Sequence, residues 1–502
     1  MTTTGREDAA AAVRARHAAL YDEGRPEAVA KQRRRNSLTA RERVTLLLDE
    51  GAELLEYGAL ARPMSPELEA PAEGVVVGTG MLHGRTVGVI SYDYTSLGGS
   101  QGPLGHQKLD RLLGIATARQ CPVVLIAEGG GGRAQEMGVI RPAPDDFRKL
   151  ARLSGQVPIV AIAPGRAFAG HANLLGMADV IIAVRSAVIG IAGPPLVKAA
   201  MGVDQTPEEI GAVDIHERVG TVDVVVDDDV QAIEVARHYL DLLMHPDVLL
   251  EEDEDPEVPD LLRTVVPSNP RQAFDVRAVI DLLADPGTVL ELRPSFAGAA
   301  VTALGRIGGR SVGFIANNSI VRAGSIDSDA ADKMARFIRL CDAFGLPLVF
   351  LCDSPGFLIG RQAEEEALIR HSSRMMFALA AASVPLLSVI VRRAYGLAYM
   401  VMGSLSWDPF FHALWPTAEY GAMGLQGGAA ITAGSSTSAN GARSAEDIVA
   451  ELEEFGSAFR MAERLQTDDV IDPGDTRRLL INALADAPVR ITQERWHQVD
   501  PW

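Results

Sequence analysis

This chain of 502 residues lacks the parts from which the commonest catalytic devices are built. It has only three cysteines, Cys121, Cys341 and Cys352, and they stand in no metal-ligand spacing. That excludes a disulfide framework and a thiolate metal centre. No Ser/His/Asp or Cys/His constellation is visible, so a side-chain nucleophile is not expected. Positive charge is short: 47 Lys and Arg stand against 66 Asp and Glu, a net charge of −19. A nucleic-acid surface is therefore not expected, although a local basic patch can still hold phosphate. No apolar run reaches membrane-spanning length, and the opening MTTTGREDAAAAVRARHAAL is an Ala/Arg helix without the apolar core of a signal peptide. These absences describe a cytoplasmic protein with no metal and no membrane or nucleic-acid partner.

What is present is α/β patterning in a chain long enough for two or three domains. The stretch Leu346–Gly360, LPLVFLCDSPGFLIG, opens with six mostly apolar residues suited to a strand buried on both faces. It then breaks on Asp353-Ser354-Pro355-Gly356, which is turn chemistry. In open α/β structures, ligands sit at such carboxyl ends of strands. The stretch has a twin, Cys121–Gly132, CPVVLIAEGGGG, in which Pro122 matches Pro347 and Glu128 matches Asp353 at an offset of 225 residues. The same offset relates Gly80 to Gly305, Gly84 to Gly309, Arg85 to Arg310 and Lys108 to Lys333. One offset held over some fifty residues reads as an internal duplication, with a period too long for a solenoid.

In chain order, Thr39 and Glu42 form a capping box that opens the helix ARERVTLLLD, and the basic cluster Lys31–Arg35 reads first as a solvated face, with an anion or phosphate contact as the alternative. A hairpin over 74–91 precedes a glycine turn and the helix that holds His106, Lys108 and Asp110. Four consecutive glycines, Gly129 to Gly132, carry a large ordering cost and mark close backbone approach to a ligand or another chain. The strand Pro158–Ala163 runs into the turn Gly165–His171. The acidic tract Glu251–Asp260 reads as a linker, so the expected domains are residues 1–260 and 261–502. In the second copy, the strand Pro385–Val391 leads into the turn Arg392–Tyr399.

Taken together and in order, LTARERVTLLLDEG, SLGGSQG, EGGGGRAQE, DKMARFIRLCDAFGLPL, DSPGFLIG, LIRHSS, RRAYGLAY, WPTAEYGAMG and DDVIDPGDTRRLL resemble the carboxyltransferase β subunits of biotin-dependent acyl-CoA carboxylases. The resemblance implies an α/β fold of tandem duplicated crotonase-like ββα-superhelix domains, the first on the acyl-CoA side and the second on the biotin side. It implies one backbone oxyanion hole per half, for the acyl-CoA thioester oxygen and for the biotin ureido oxygen. Carried over by position, the first hole falls on Ala169 and Gly170 and the second on Leu397 and Ala398. Ala169 and Leu397 stand where the family has glycine. An L-residue at such a place can still present its N–H if φ is negative.

Substrate contacts are implied at Gly130, Gly131, Gly132, Arg133 and His171 in the first half, and at Gly356, Phe357, Gly396, Tyr399 and Met400 in the second. Met400 falls where the family lines its acyl pocket. Arg133, Lys108 and Arg85 are available to pair with CoA phosphates or with acidic neighbours. His106, His171 and His371 read first as packed or hydrogen-bonded structural residues. No Ala-Met-Lys-Met biotinylation site and no ATP-grasp-like glycine loop are present, so biotin on a carrier protein and a biotin carboxylase are expected from a separate chain. The family also implies a homo-oligomer, usually a hexamer. Two alternatives stay open: a biotin-dependent decarboxylase, and a weakly active acyl-CoA-binding paralogue.

Overall fold

The computed structural model describes residues 3–136, 145–248, 256–435, 445–491 and 496–502. These form two compact units, 1–244 with 497–501 and 245–496 with 502. The division falls at Met244/His245, ahead of the expected 260, because the chain has already joined the second unit there. Ser311 N–H donates to the Pro246 carbonyl at 2.6 Å and Val248 N–H to that of Gly309 at 2.9 Å. Of the tract expected as a linker, residues 251–255 lie outside the described residues, and a helix occupies Val258–Thr264.

In the first unit the strands are β1 (Leu55–Glu56), β2 (Val75–Leu82), β3 (Arg85–Tyr92), β4 (Val123–Ile126), β5 (Ile159–Ala163), β6 (Arg166–Phe168), β7 (Val180–Val184), β8 (Val188–Gly190) and β9 (Val224–Val226). The sheet order is β1-β2-β3-β4-β5-β7-β9, with β6 and β8 paired apart from it. In the second unit they are β10 (Leu290–Leu292), β11 (Ala300–Ile307), β12 (Arg310–Asn317), β13 (Leu348–Ser354), β14 (Leu386–Tyr395), β15 (Phe411–Leu414), β16 (Glu419–Gly421) and β17 (Asp469–Val470). Their order, β10-β11-β12-β13-β14-β15-β17, is the same design, and β16 pairs with the end of β14. Each unit begins with an antiparallel hairpin and continues parallel. The parallel strands β4, β5 and β7 are buried on both faces, as continuous Val/Ile runs require.

The 225-residue offset holds to the residue through the hairpins. Val75 faces Tyr92 as Ala300 faces Asn317. Lys108 and Lys333 are both buried and both donate to backbone carbonyls, Lys108 to Ala72 and Val75 and Lys333 to Arg293, Phe296 and Ala300. Burial pulls the Lys108 pKa down to about 8. Lys108 is thus a strut inside the unit and not a phosphate contact. Further along, Val123 faces Ile159 as Leu348 faces Leu386, so the offset has grown to 227. The two extra residues make Arg166-Ala167-Phe168-Ala169 the counterpart of Arg393-Ala394-Tyr395-Gly396.

Two expected turns are strand instead. β13 runs on through Asp353 and Ser354 with an irregularity between Cys352 and Ser354. β14 continues to Tyr395 because its end pairs with β16, Arg393 opposite Glu419 and Tyr395 opposite Gly421. At the N-terminal side, Thr39 and Glu42 do form the capping box, and the helix spans Ala40–Leu47. No helix among the described residues is long and apolar enough to cross a membrane.

Candidate functional site

Each unit ends a strand in a sharp turn that starts a six-residue helix, Gly170–Leu175 in the first and Gly396–Val401 in the second. The turn is made by a residue of positive φ: +60° at Gly396 and +52°, with ψ −118°, at Ala169. Glycine adopts this conformation freely, whereas alanine is strained in it by about 1–3 kcal/mol. The condition of a negative φ at Ala169 is therefore not met, because the fold imposes the turn on whichever residue stands there.

The Ala169 N–H donates to the Gly190 carbonyl at 2.9 Å, so Ala169 has no amide to offer a ligand. The first amides of each helix, Gly170 and His171 in one unit and Leu397 and Ala398 in the other, have no intrahelical acceptor. By the 227 offset these two pairs are equivalent. The first-half pair is thus one residue further along than the expected Ala169 and Gly170. Gly170 must be small: a Cβ there would lie 2.1 Å from Gln101 Oε1. Gln101 in turn donates from Nε2 to the Tyr92 hydroxyl at 2.9 Å.

Beside each turn runs a loop in an equivalent position. Gln101 N–H donates to the Gly131 carbonyl at 2.8 Å, and Ile326 N–H to that of Gly356 at 3.2 Å. Gly132 bridges Gln101 as Phe357 bridges Ile326. Gly130 and Gly132 are exposed, and Gly130 faces open space. Gly356 (φ +137°) and Phe357 are half-buried. The glycine loops therefore lie where close approach by a ligand is possible.

The acid that starts each loop is buried and held by arginines. Asp353 accepts from Arg392 Nη2 at 2.7 Å and from Arg393 Nε at 2.7 Å, both residues of β14 itself. Burial pulls its carboxyl pKa up, but the hydrogen bonds from Arg393 and Arg392 outweigh this and hold it below the ordinary value. Glu128 accepts from Arg43 Nη1 at 2.8 Å and pairs with Arg35 at 3.2 Å, both from the N-terminal segment. The counterpart of Arg392 is Gly165, where a Cβ would come within 2.6 Å of Glu128 Oε1. The longer acid fills the space that an arginine occupies in the second unit. Arg35, read as part of a solvated face, instead stacks 3.8 Å over Tyr94 and reaches Glu128.

Three other expected contacts are corrected. The Arg133 side chain is 1% exposed; it pairs with Glu73 at 2.9 Å and Glu136 at 2.7 Å and donates to the Ser100 carbonyl. Every guanidinium nitrogen is engaged, so it shapes the loop and has no donor for a phosphate. His171 is fully buried, edge-on to Tyr92 at 4.3 Å, and neither ring nitrogen reaches a hydrogen-bond partner. Burial lowers its pKa to about 3, so the ring stays neutral and packed. Tyr399 turns its hydroxyl inward, 3.3 Å from His412 Nε2. Leu397 is 59% exposed and Met400 half-buried on the helix that follows the second turn. Arg85 is exposed at the hairpin. His106 and His371 each pair with a carboxylate at 2.7 Å, Asp146 and Asp332. Gln101, Tyr92, Arg43 and His412 were not picked out from the sequence. The repeated Arg-Ala-aromatic-small pattern at 166–169 and 393–396 was the signal that would have set the register of the turns.

The carboxyl transferase domain matches residues 31–497. The propionyl-CoA carboxylase beta chain of Roseobacter denitrificans is 34% identical over 498 residues, 97% of each chain. The transcarboxylase 12S crystal structure, a hexamer assembly with methylmalonyl-coenzyme A and methylmalonic acid bound, is 33% identical with a TM-score of 0.87, covering 99% of this chain and 98% of that one. A single-chain, multi-domain long-chain acyl-CoA carboxylase is 39% identical with a TM-score of 0.87 over 96% of this chain, which spans 49% of that protein. A duplicated fold with equivalent strand-end turns, the domain match and one-third identity along nearly the whole length have one reading: the chain belongs to the carboxyl transferase domain family.

Proposed function

We propose that the protein is the carboxyltransferase component of a biotin-dependent acyl-CoA carboxylase, placing a carboxyl group on the α-carbon of an acyl-CoA. The observation that carries this reading is the pair of equivalent turns, one per unit, whose first helical amides have no intrahelical acceptor. Removing a proton next to a thioester carbonyl builds negative charge on oxygen, and each preorganised donor aimed at it is worth roughly 3–4 kcal/mol. We assign the thioester oxygen to the first-unit turn at Gly170 and the biotin ureido oxygen to the Leu397–Ala398 turn. Biotin, on a separate carrier protein, supplies the carboxyl group and then the nitrogen that takes the α proton. This chain supplies donors, orientation and the exposed glycine backbone at Gly130 and Gly132 along which a thioester can lie. No side-chain base is required, which fits a His171 that is buried and neutral.

The partners are a biotin carboxylase and a biotin carrier, and the assembly is a homo-hexamer whose sites combine the first unit of one copy with the second unit of another. Three buried thiols, at Cys121, Cys341 and Cys352, suit the reducing cytoplasm. Met400 offers a flexible thioether where acyl length is tuned, and each buried methylene is worth about 0.8 kcal/mol, close to fourfold in preference. Leu397 narrows the same face, so the preferred acyl group is longer than acetyl and slim. The test is kcat/KM for acetyl-, propionyl-, butyryl- and hexanoyl-CoA with biotinylated carrier, in wild type and in Met400→Asp. Acetyl-CoA as the best substrate, with no effect of the substitution, would overturn the pocket assignment; no turnover of any acyl-CoA would overturn the function.

A further inference from the structure

Behind the second donor turn lies a chain of polar side chains that the reaction itself does not use. Tyr399 directly follows Ala398 in the helix Gly396–Val401, and its hydroxyl is 3.3 Å from Nε2 of His412 on β15. Tyr420, on β16, packs edge-on against the Tyr399 ring at 4.7 Å, and its hydroxyl lies 3.5 Å from the same nitrogen. The other ring nitrogen, Nδ1, is 3.0 Å from the Thr467 hydroxyl oxygen. That hydroxyl has one proton, and two carbonyls that can only accept lie beside it, those of His412 at 2.9 Å and Asp469 at 3.3 Å. Thr467 therefore accepts from Nδ1–H, which leaves Nε2 as a bare acceptor for the Tyr399 hydroxyl. The Tyr399 and Tyr420 hydroxyls converge on that acceptor and also bond each other. His412 is fully buried, and burial lowers its pKa to about 4, with the Asp468 charge offsetting this only in part, so the neutral tautomer persists at neutral pH.

A helix of six residues is too short to hold its own geometry. Its first amides are aimed only as well as the side chains around them are fixed, and a displacement of an ångström at a preorganised site costs orders of magnitude in rate. We propose that His412 is a positioning residue for the second donor turn: by accepting from Tyr399 it fixes the roll of this helix and so the aim of the Leu397 and Ala398 amides. The first unit has Ala172 at the equivalent of Tyr399 and no such bond. There the residue one place earlier, His171, packs against Tyr92 without a hydrogen bond. The proposal rests on the functional reading above, and its test separates the two.

Three variants decide it. Tyr399→Phe removes only the hydroxyl, His412→Leu removes the acceptor, and His412→Gln places an amide oxygen close to where Nε2 was. Tyr399→Phe and His412→Leu are expected to lower kcat at least tenfold while KM for acyl-CoA stays within twofold, with His412→Gln recovering most of the loss. In Tyr399→Phe, amide hydrogen exchange at Leu397 and Ala398 is expected to speed up at least tenfold. Unchanged exchange overturns the proposal, as does a kcat for His412→Gln as low as that of His412→Leu. If His412→Leu does not fold, Tyr399→Phe carries the test alone. If wild type turns over no acyl-CoA, the functional reading falls, and the exchange measurement still decides the positioning.

Discussion

The two units solve one mechanical problem with different residues. Both bury an acid at the end of the third sheet strand from the hairpin edge, Glu128 in one and Asp353 in the other, and both must neutralise it to set the loop and the donor turn beside it. The second unit uses arginines of its own strand β14, Arg392 and Arg393, so clamp and turn belong to one continuous element. The first unit has no arginine at the equivalent of Arg392, because Gly165 leaves room for the longer glutamate, and it takes its cations from Arg43 and Arg35. A duplicated site is thus autonomous in one half and dependent on the N-terminal helices in the other.

The largest expected effect breaks this asymmetry directly. Arg43→Met strips the closest cation from a Glu128 that is fully buried and also removes a partner of Asp229, so it should destabilise by about 3–5 kcal/mol. Arg393→Met leaves Asp353 its paired bonds to Arg392 and should cost about 2 kcal/mol. Thermal melting of the two variants checks the ranking; equal losses would mean that the N-terminal segment is not the clamp.

Next in size is acid. Each turn is backed by a buried neutral histidine, His171 with a pKa lowered to about 3 and His412 to about 4, both by burial. An unfolded chain binds the proton near pH 6.5, so the unfolded state gains protons that the folded one refuses. Stability is full above that value and falls as the pH drops toward 4 for His412 and 3 for His171. Between pH 7 and 5 the loss is about 2 kcal/mol per histidine. Stability measured against pH should show this slope in wild type and about half of it in His412→Gln.

The smallest effects exchange the turn residues. Gly396→Ala would meet the Ala422 carbonyl at 3.1 Å in a positive-φ turn and should cost about 1–2 kcal/mol, whereas Ala169→Gly should relieve strain and gain about 1 kcal/mol. Opposite signs in thermal melts at equivalent positions would sharpen the comparison, and a loss from Ala169→Gly would show the strain reading to be wrong.

The fold was legible where a repeat could be counted. The 225-residue offset, read from glycines, prolines and Lys108/Lys333, is the register of the two hairpins to the residue. It fails where two residues are inserted: by 225 the counterparts of Leu397 and Ala398 would be 172 and 173, and only the 227 offset of the later strands brings them to Gly170 and His171. Burial was the other blind spot. In sequence Arg133 is a cation in a glycine loop; in the structure Glu73, Glu136 and Ser100 enclose it, and two of these three come from distant segments. Spacing showed that Glu128 and Asp353 match, but nothing local to Glu128 names Arg43, 85 residues earlier, as its partner. The Tyr399–His412 bond likewise joins a helix to β15, which come together only when β15 pairs with β14.

The return of His497–Pro501 to the first unit also bears on how the chain comes off the ribosome. Val499 N–H donates to Ser154 Oγ at 3.0 Å and Gln498 Nε2 to the Ala151 carbonyl at 2.8 Å, so the end of the helix Asp146–Leu153 and the turn after it are completed by residues that follow the second unit in the chain. At 5–20 residues per second, these arrive roughly 13–50 s after Met244 has been added. The first unit is therefore synthesised before the second and completed after it, its last contacts at Ala151 and Ser154 waiting for residues 498 and 499.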